Sequence, residues 1–496
     1  MTGATAIDPR GADRATGLTA FAIALALCLL ALRLLAAANS GLFFDEAYYW
    51  SWSINLMPGY FDHPPMVALF IRAGTLLFGD TSLGVRFMTA LAAPLGAWAT
   101  WGIVLELSGS RRVAAWGAIF SSLTGASLLS LAVFPDEPMV LFWLVATLAL
   151  VKVHKGAAPW WWIVAGVMIG LSGDSKYTAV FLGAGLFAWT LMEPGMRRWH
   201  GTRWPWLGML AALLVVSPVL WWNAANGWPS LAMQTMRNGL SYSQLTSLLT
   251  YLSLILQMAS PPILLLAAVG IWRGPDRSLL ILAVVPIILF LAAFSQSDEV
   301  TLNSVWPMTC WWPVPAALAM AGPGWRWVKR GVAGIALLIG LLIPTVYVVL
   351  ALPPGSVPDR IDAGRTFRGW PDAAAGVKQA MLETGATYVV GDRYFYPGYL
   401  KMTLGRDTPV FSLVSPGYDT DYSLWRRWRG FPAARPEMAD DKAIFIGAET
   451  AARLYYDDVE QLPWPAGASE ERMLPLFLVA NPKPVTVPLF NDWRAP

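Results

Sequence analysis

Charge is what this 496-residue chain has least of. Only 14% of its residues are Asp, Glu, Lys or Arg, while 56% are hydrophobic. Soluble globular chains carry roughly 25% charged residues. The composition therefore argues against a soluble enzyme and against a disordered or fibrous chain. Cysteine is almost missing. Cys28 and Cys310 both lie in apolar stretches, so neither a disulfide scaffold nor a cysteine-built metal cluster is available. Histidine is limited to His63, His154 and His200. The net charge of +3 offers no electrostatic footprint for nucleic acid.

The scarcity of charge is uneven. Residues 1–352 hold 33 charged side chains, or 9%, and residues 353–496 hold 34, or 24%. The first part reads as membrane and the second as a water-exposed domain. Long apolar runs recur near 18–39, 84–107, 113–133, 138–152, 159–173, 178–193, 205–222, 247–271, 279–295, 306–323 and 331–352. They predict about eleven transmembrane helices, several shorter than the ~20 residues that a bilayer core needs. Ala36-Ala37-Ala38 resembles a signal-peptide cleavage site, but the apolar run before it is too long for a signal core. It reads as an uncleaved anchor.

Basic residues set the orientation. With the N-terminus inside, the inner side carries Arg10, Arg14, Arg111, Arg112, Lys152, Lys155, Arg197, Arg198, Arg203, Arg273, Arg277, Arg326, Lys329 and Arg330. The outer side keeps Arg72, Arg86, Lys176 and Arg237, with Arg33 near the end of the first span. Acids run the other way: Asp45, Glu46, Asp62, Asp80, Asp136, Glu137, Asp174, Asp298 and Glu299 are outer. His154 and His200 fall on the inner side, so only His63 shares a face with these acids, and a multi-histidine zinc site is excluded there. Any metal would be held mainly by carboxylates, which suits Mg or Mn; Asp45, Glu46, Asp62 and Asp136 are its candidate ligands.

Several outer segments carry candidate chemistry. Phe44-Asp45-Glu46-Ala47-Tyr48-Tyr49-Trp50 sets two adjacent acids at the membrane surface, where charge is costly unless solvated or paired. It also reads as an interfacial helix start with Asp45 as N-cap. In Gly59-Tyr60-Phe61-Asp62-His63-Pro64-Pro65, the prolines stiffen a loop and start a short interfacial helix over 64–79 that carries Arg72. Pro135-Asp136-Glu137-Pro138 is a tight outer turn. In Ser175-Lys176-Tyr177, the lysine reads as a phosphate grip or as a snorkelling side chain. Trp221-Trp222-Asn223 opens a long outer loop that reaches Arg237, and residues 295–306 form another. Acids suited to base catalysis and cations suited to phosphate thus converge on one face, as transfer from a lipid-phosphate sugar requires.

These motifs resemble bacterial members of the dolichyl-phosphate-mannose–protein mannosyltransferase superfamily, the GT-C glycosyltransferases. More distantly they are similar to the lipid A aminoarabinose transferases. The marks are Asp45 to Trp50, Gly59 to Pro65, Gly84-Val85-Arg86, Pro135-Asp136, Ser175-Lys176-Tyr177 and Trp221-Trp222-Asn223 with Gly227-Trp228. The resemblance implies a mostly α polytopic membrane protein with the GT-C fold. It implies a polyprenyl (undecaprenyl) phosphate sugar donor and an envelope acceptor, whether lipid A or another glycolipid, a polysaccharide or a protein.

By the same resemblance, Asp45 is the candidate catalytic base, Asp136 a second active-site acid, and Lys176 the donor-phosphate contact. Glu46, Tyr48, Tyr49, Asp62, His63, Arg72, Arg86, Tyr177, Asn223 and Arg237 join as substrate-binding candidates. Asp62-His63 stands where the aminoarabinose transferases have Glu-Lys, and a neutral imidazole grips phosphate less firmly than an ammonium does. The expected organisation is a cytoplasmic tail (1–17), a GT-C transmembrane catalytic domain (18–352) and a small extracytoplasmic α/β domain (353–496), all at the inner membrane. Strands are expected at 386–392, 442–447 and 476–479, and a helix near 372–384. Tyr394-Phe395-Tyr396 and Trp425-Arg426-Arg427-Trp428 read as contacts to acceptor or lipid headgroups or, in the main reading, as packing and interface residues. The rival reading is a transporter or flippase of lipid-linked sugars, which would favour internal repeats and mid-membrane polar residues.

Overall fold

The structure is a computed structural model; it describes residues 9–231, 244–273, 277–294, 310–321, 324, 326–353, 356–358, 370–412, 441–463 and 475–483. Helices dominate. In chain order they are α1 (Pro9–Asn39), α2 (Phe44–Ser53), α3 (Met66–Phe78), α4 (Ser82–Ser108), α5 (Arg111–Ser122), α6 (Gly125–Leu129), α7 (Asp136–His154), α8 (Trp161–Gly173), α9 (Ala179–Met192), α10 (Pro194–Arg197) and α11 (Arg203–Ala225). They continue as α12 (Gln244–Ala259), α13 (Pro261–Arg273), α14 (Ile281–Phe294), α15 (Pro313–Ala319), α16 (Arg326–Gly340), α17 (Leu342–Ala351), α18 (Trp370–Thr384), α19 (Tyr396–Leu404) and α20 (Glu449–Tyr455).

Among the described residues, five helical stretches are long and apolar enough to cross a membrane: Ala15–Asn39, Ser82–Ser108, Asp136–His154, Arg203–Ala225 and Arg326–Ala351. Two bent pairs raise the count to seven. The chain is thus a multi-pass membrane protein, and two of the expected spans, 113–133 and 247–271, are not single straight helices. The run at 113–133 breaks between α5 and α6, because Ser121-Ser122-Leu123-Thr124-Gly125 offers backbone-competing hydroxyls and a glycine. The run at 247–271 turns by 92° between α12 and α13. There Pro261-Pro262 cannot donate to a continuing helix and Ser260 adopts φ 67°. The run at 178–193 ends in a 90° bend into Pro194–Gly201. The short helix expected at 64–79 is α3, which begins at Met66 after Pro65 as N-cap.

Glycines let helices touch backbone to backbone. A Cβ on Gly166 of α8 would fall 1.9 Å from the carbonyl oxygen of Gly208 on α11, so only glycine allows this approach. The main apolar core lies among α4, α5, α7, α8, α9, α13 and α15.

The C-terminal segment forms a five-stranded sheet: β1 (Tyr388–Gly391), β2 (Val410–Ser412), β3 (Ala443–Ile446), β4 (Tyr456–Leu462) and β5 (Leu476–Pro482), in the order β2-β1-β3-β5-β4. β1 runs parallel to β2 and β3, while β5 runs antiparallel to β3 and β4. The central strands β1 and β3 are buried throughout, as their unbroken apolar runs require. One face packs against α18 and α19 and the other against α20.

Contacts sort the polar turns into two groups. The turns after α1, before α7, after α8 and after α11 bond to one another through Glu46–Val133, Lys176–Asp136, Asn223–Tyr177 and Ser230–Tyr60. Far from them, Lys152 pairs with Glu106 at 2.5 Å between the opposite ends of α7 and α4. Residues assigned to one side from charge alone therefore meet in space.

Candidate functional site

The site is framed by a buried ion pair. The Arg86 Nε donates to Glu46 Oε1 at 2.7 Å and its Nη2 to Oε2 at 2.5 Å, with both side chains fully buried. Arg86 also donates to the Ser40 hydroxyl and to the carbonyls of Ser40 and Gly41. Glu46 accepts further bonds from the backbone N–H groups of Phe43 and Val133. Every oxygen and donor that faces inward is engaged, so these two residues clamp α2 to α4 and to the turn before α7. Glu46 and Arg86, both expected as substrate-binding residues, present no surface in this structure.

Asp45 sits one position earlier on α2, about 100° round the helix. It is half-buried and follows Phe43, the N-cap, by two residues, so the reading of Asp45 as N-cap is corrected too. Its Oδ1 accepts a 2.7 Å hydrogen bond from the Tyr394 hydroxyl, which comes from the turn after β1.

Beyond it, the Tyr48 hydroxyl donates to Asp62 Oδ2 at 2.8 Å. Tyr49 lies edge-on to His63, with ring centroids 5.9 Å apart. Asp62 and His63 are both buried, 8% and 9% exposed. Tyr60 stacks flat on Trp52 at 4.3 Å. Gly59 has room only for hydrogen, since a Cβ there would meet the Trp222 ring at 2.8 Å. The loop at 59–65 is thereby wedged between α2 and the end of α11.

Asp136, the first residue of α7, is fully buried and accepts both of its hydrogen bonds from Lys176 Nζ, at 2.8 and 2.7 Å. Lys176 therefore does not snorkel. Its ammonium is aimed by a carboxylate at a helix start. The next residue, Tyr177, accepts from Asn223 Nδ2 at 3.1 Å. Tyr177 also lines an apolar groove of about 670 Å³ between α8, α9 and α11. The groove follows α8 from Gly173 at the site to Trp162 and His200 at the far end. Arg72 is half-buried on α3, and no ion pair is described for it. Arg237 lies outside the described residues, as do residues 295–306 and the Trp425–Trp428 cluster.

The carboxylate cation site is not supported. Among the described residues no three His, Cys, Asp or Glu side chains come close enough to hold a metal ion. Two of the candidate ligands, Glu46 and Asp136, are paired with Arg86 and Lys176.

Asp174, in the turn between α8 and α9, has a different character. It is 8% exposed, its Oδ1 has no hydrogen-bond partner, and burial pushes its carboxyl up to about 7. Between pH ~4 and 7 the folded state then holds a proton that the unfolded chain releases, so stability falls as pH rises through that window. Asp174→Asn should abolish this slope and raise the melting temperature above pH 7. Thermal unfolding in detergent from pH 5 to 8 checks it; parallel pH curves for both proteins would reject it.

Arg406 is a residue beside the site that sequence reasoning did not name, and Tyr394 and Asp80 were named there without a place at the site. Asp80 accepts from Trp50 Nε1 at 2.9 Å and from Arg406 through two bonds of 2.7 Å. No local motif marks them, because their partners lie 30 to 349 positions away.

Residues 62–222 match the family described as dolichyl-phosphate-mannose-protein mannosyltransferase. Lipid A galacturonosyltransferase RgtD of Rhizobium johnstonii is 32% identical over 186 residues, 36% of this chain and 38% of that protein. A polyprenol-phosphate-mannose–protein mannosyltransferase of Corynebacterium glutamicum is 28% identical over 186 residues, 29% of this chain and 36% of that protein. The chain thus spans well under half the length of these curated relatives. In fold the likeness is nearly complete. ArnT from Cupriavidus metallidurans, solved bound to undecaprenyl phosphate, superposes with TM-score 0.68 at 14% identity, over 97% of this chain and 99% of that one. The chain shares the fold of ArnT, and its residues 62–222 match the dolichyl-phosphate-mannose-protein mannosyltransferase family.

Proposed function

We propose that this chain is an integral-membrane glycosyltransferase. It moves a sugar from a polyprenyl-phosphate donor, undecaprenyl phosphate in a bacterial envelope, to lipid A, another glycolipid, a polysaccharide or a protein. The reading places it in the inner membrane with about eleven crossings. Residues 353–496 then form a periplasmic α/β domain over a catalytic body at 18–352. The relatives named above support the reaction class.

The observation that carries this reading is the apolar groove opening beside ionisable groups. The groove suits a polyprenyl tail, since its walls are hydrophobic along all of α8. At its mouth Tyr177 adjoins Lys176, whose ammonium suits the donor phosphate. Arg72 and His63 are further candidates for that charge. Asp45 takes the proton from the acceptor hydroxyl as its oxygen attacks the anomeric carbon. The phosphate leaves from the opposite face, so the anomeric configuration inverts. No covalent enzyme intermediate and no metal step is needed.

Reconstitution into liposomes with undecaprenyl-phosphate-linked pentoses and hexoses, and with lipid A as acceptor, tests the reaction. Glycoside formation read by mass spectrometry is expected. Movement of lipid without glycoside would instead indicate a flippase. For the phosphate role, Lys176→Gln combined with Asp136→Asn keeps the buried pair neutral. That variant should lose about 10²–10³-fold in kcat/KM for donor, the scale of one charge-stabilising group, with acceptor KM nearly unchanged. A loss confined to acceptor KM would remove Lys176 from the phosphate.

A further inference from the structure

The sheet unit at the C-terminal end of the chain reaches into the site. Tyr394 and Phe395 project from the turn after β1, and α19 follows at once. The Tyr394 hydroxyl donates to Asp45 Oδ1 at 2.7 Å, across 349 residues of sequence. Phe395 stacks on Phe44 at 4.2 Å with an interplanar angle of 24°. The Tyr399 hydroxyl donates to the Leu42 carbonyl at 2.5 Å. Gly398 lies so close to α2 that a Cβ would fall 1.9 Å from the Ala47 carbonyl oxygen. Arg406 grips Asp80 with two bonds, and Asp80 in turn accepts from Trp50 on α2.

These contacts converge on the first two turns of α2 and on the loop that leads into it. A mere packing surface would not place a phenol on a carboxylate. Tyr394 also packs edge-on against Tyr48 at 5.1 Å, and the Tyr48 hydroxyl holds Asp62. Two touching tyrosine rings therefore bracket two acids, Asp45 and Asp62. The Tyr394 hydroxyl narrows the staggered rotamers open to Asp45 at the start of the helix. With Oδ1 held, one carboxylate orientation is favoured. A hydrogen bond donated to a carboxylate also favours its charged form, which is the form a base needs.

We propose that Tyr394 is a positioning residue for Asp45, and that the C-terminal sheet unit is therefore a structural part of the catalytic centre. The proposal rests on the reading of Asp45 as base. Tyr394→Phe tests it in the full-length protein in liposomes, with undecaprenyl-phosphate sugar and lipid A. The ring and its packing stay; only the hydroxyl goes. Expected are a kcat about 10-fold lower, the scale of one lost hydrogen bond to a charged group, and an acid limb of the pH–rate profile moved upward. Donor KM and melting temperature should be unchanged. Raising the pH should recover part of the lost rate, which no purely structural defect would do. A pH profile superimposable on the wild type overturns the proposal, and so does a loss explained by a lower melting temperature. If Asp45→Asn keeps its turnover, the base reading fails instead, and the two failures are thus told apart.

Discussion

Asp45→Asn should leave a folded protein with at least 10²- to 10⁴-fold less transfer, the range that a positioned general base supplies. The amide is the same size as the carboxylate, and its oxygen still accepts from Tyr394, so the contact to the C-terminal unit survives. What is lost is the capacity to take a proton. The neighbouring acids cannot substitute. Glu46 is saturated by Arg86 and by two backbone N–H groups. Asp136 is fully buried under Lys176, and Asp62 is buried beneath the Tyr48 hydroxyl. The half-buried Asp45 alone among these four presents an accessible carboxylate. The measurement is single-turnover glycoside formation at saturating donor and acceptor, alongside the melting temperature. Turnover within a few-fold of wild type would move the base elsewhere and leave Asp45 as a capping-turn residue.

How far the sequence told this in advance depends on the range of each interaction. α1, α4, α7 and α11 were legible because each is one uninterrupted apolar run of membrane length. The break between α12 and α13 was written as Pro261-Pro262, but the apolar residues on either side masked it. In the sheet, β1, β3 and β5 stood out as short apolar runs. β2 is only three residues long, and β4 interleaves Asp457, Asp458 and Glu460 on an exposed edge, so neither offered a pattern. The arginines and lysines grouped the polar turns, and the turns so grouped at Glu46, Asp136, Lys176 and Asn223 bond to one another. Which acids are spent on structure was not legible. Glu46 and Asp45 are adjacent in sequence, yet their fates are set by Arg86, 40 positions on, and by Tyr394, 349 positions on. Only folding brings those partners in. The same holds for Lys176, whose partner Asp136 is itself one of the expected site acids.

Glu46→Gln should give the largest loss of stability in the protein. The amide can accept some of the bonds from Phe43, Val133 and Arg86, but it cannot neutralise a guanidinium that has no contact with water. Removing one partner of a buried pair costs about 3–5 kcal/mol, because the other charge is left uncompensated. The damage would be local in origin and wide in effect. Arg86 holds the turn of Ser40 and Gly41 that delivers the chain from α1 into α2, so Asp45 would lose its register with the groove and with Tyr394. Lower yield of monodisperse protein and a reduced melting temperature are expected, with activity falling in step with the folded fraction. Combining Glu46→Gln with Arg86→Met removes both charges and should recover much of the stability, since the cost arises from the unpaired ion and not from the loss of the pair itself. The contrary result, a stable Glu46→Gln protein with raised substrate KM alone, would mean that Glu46 turns from Arg86 toward substrate during the reaction and that the clamp is not fixed.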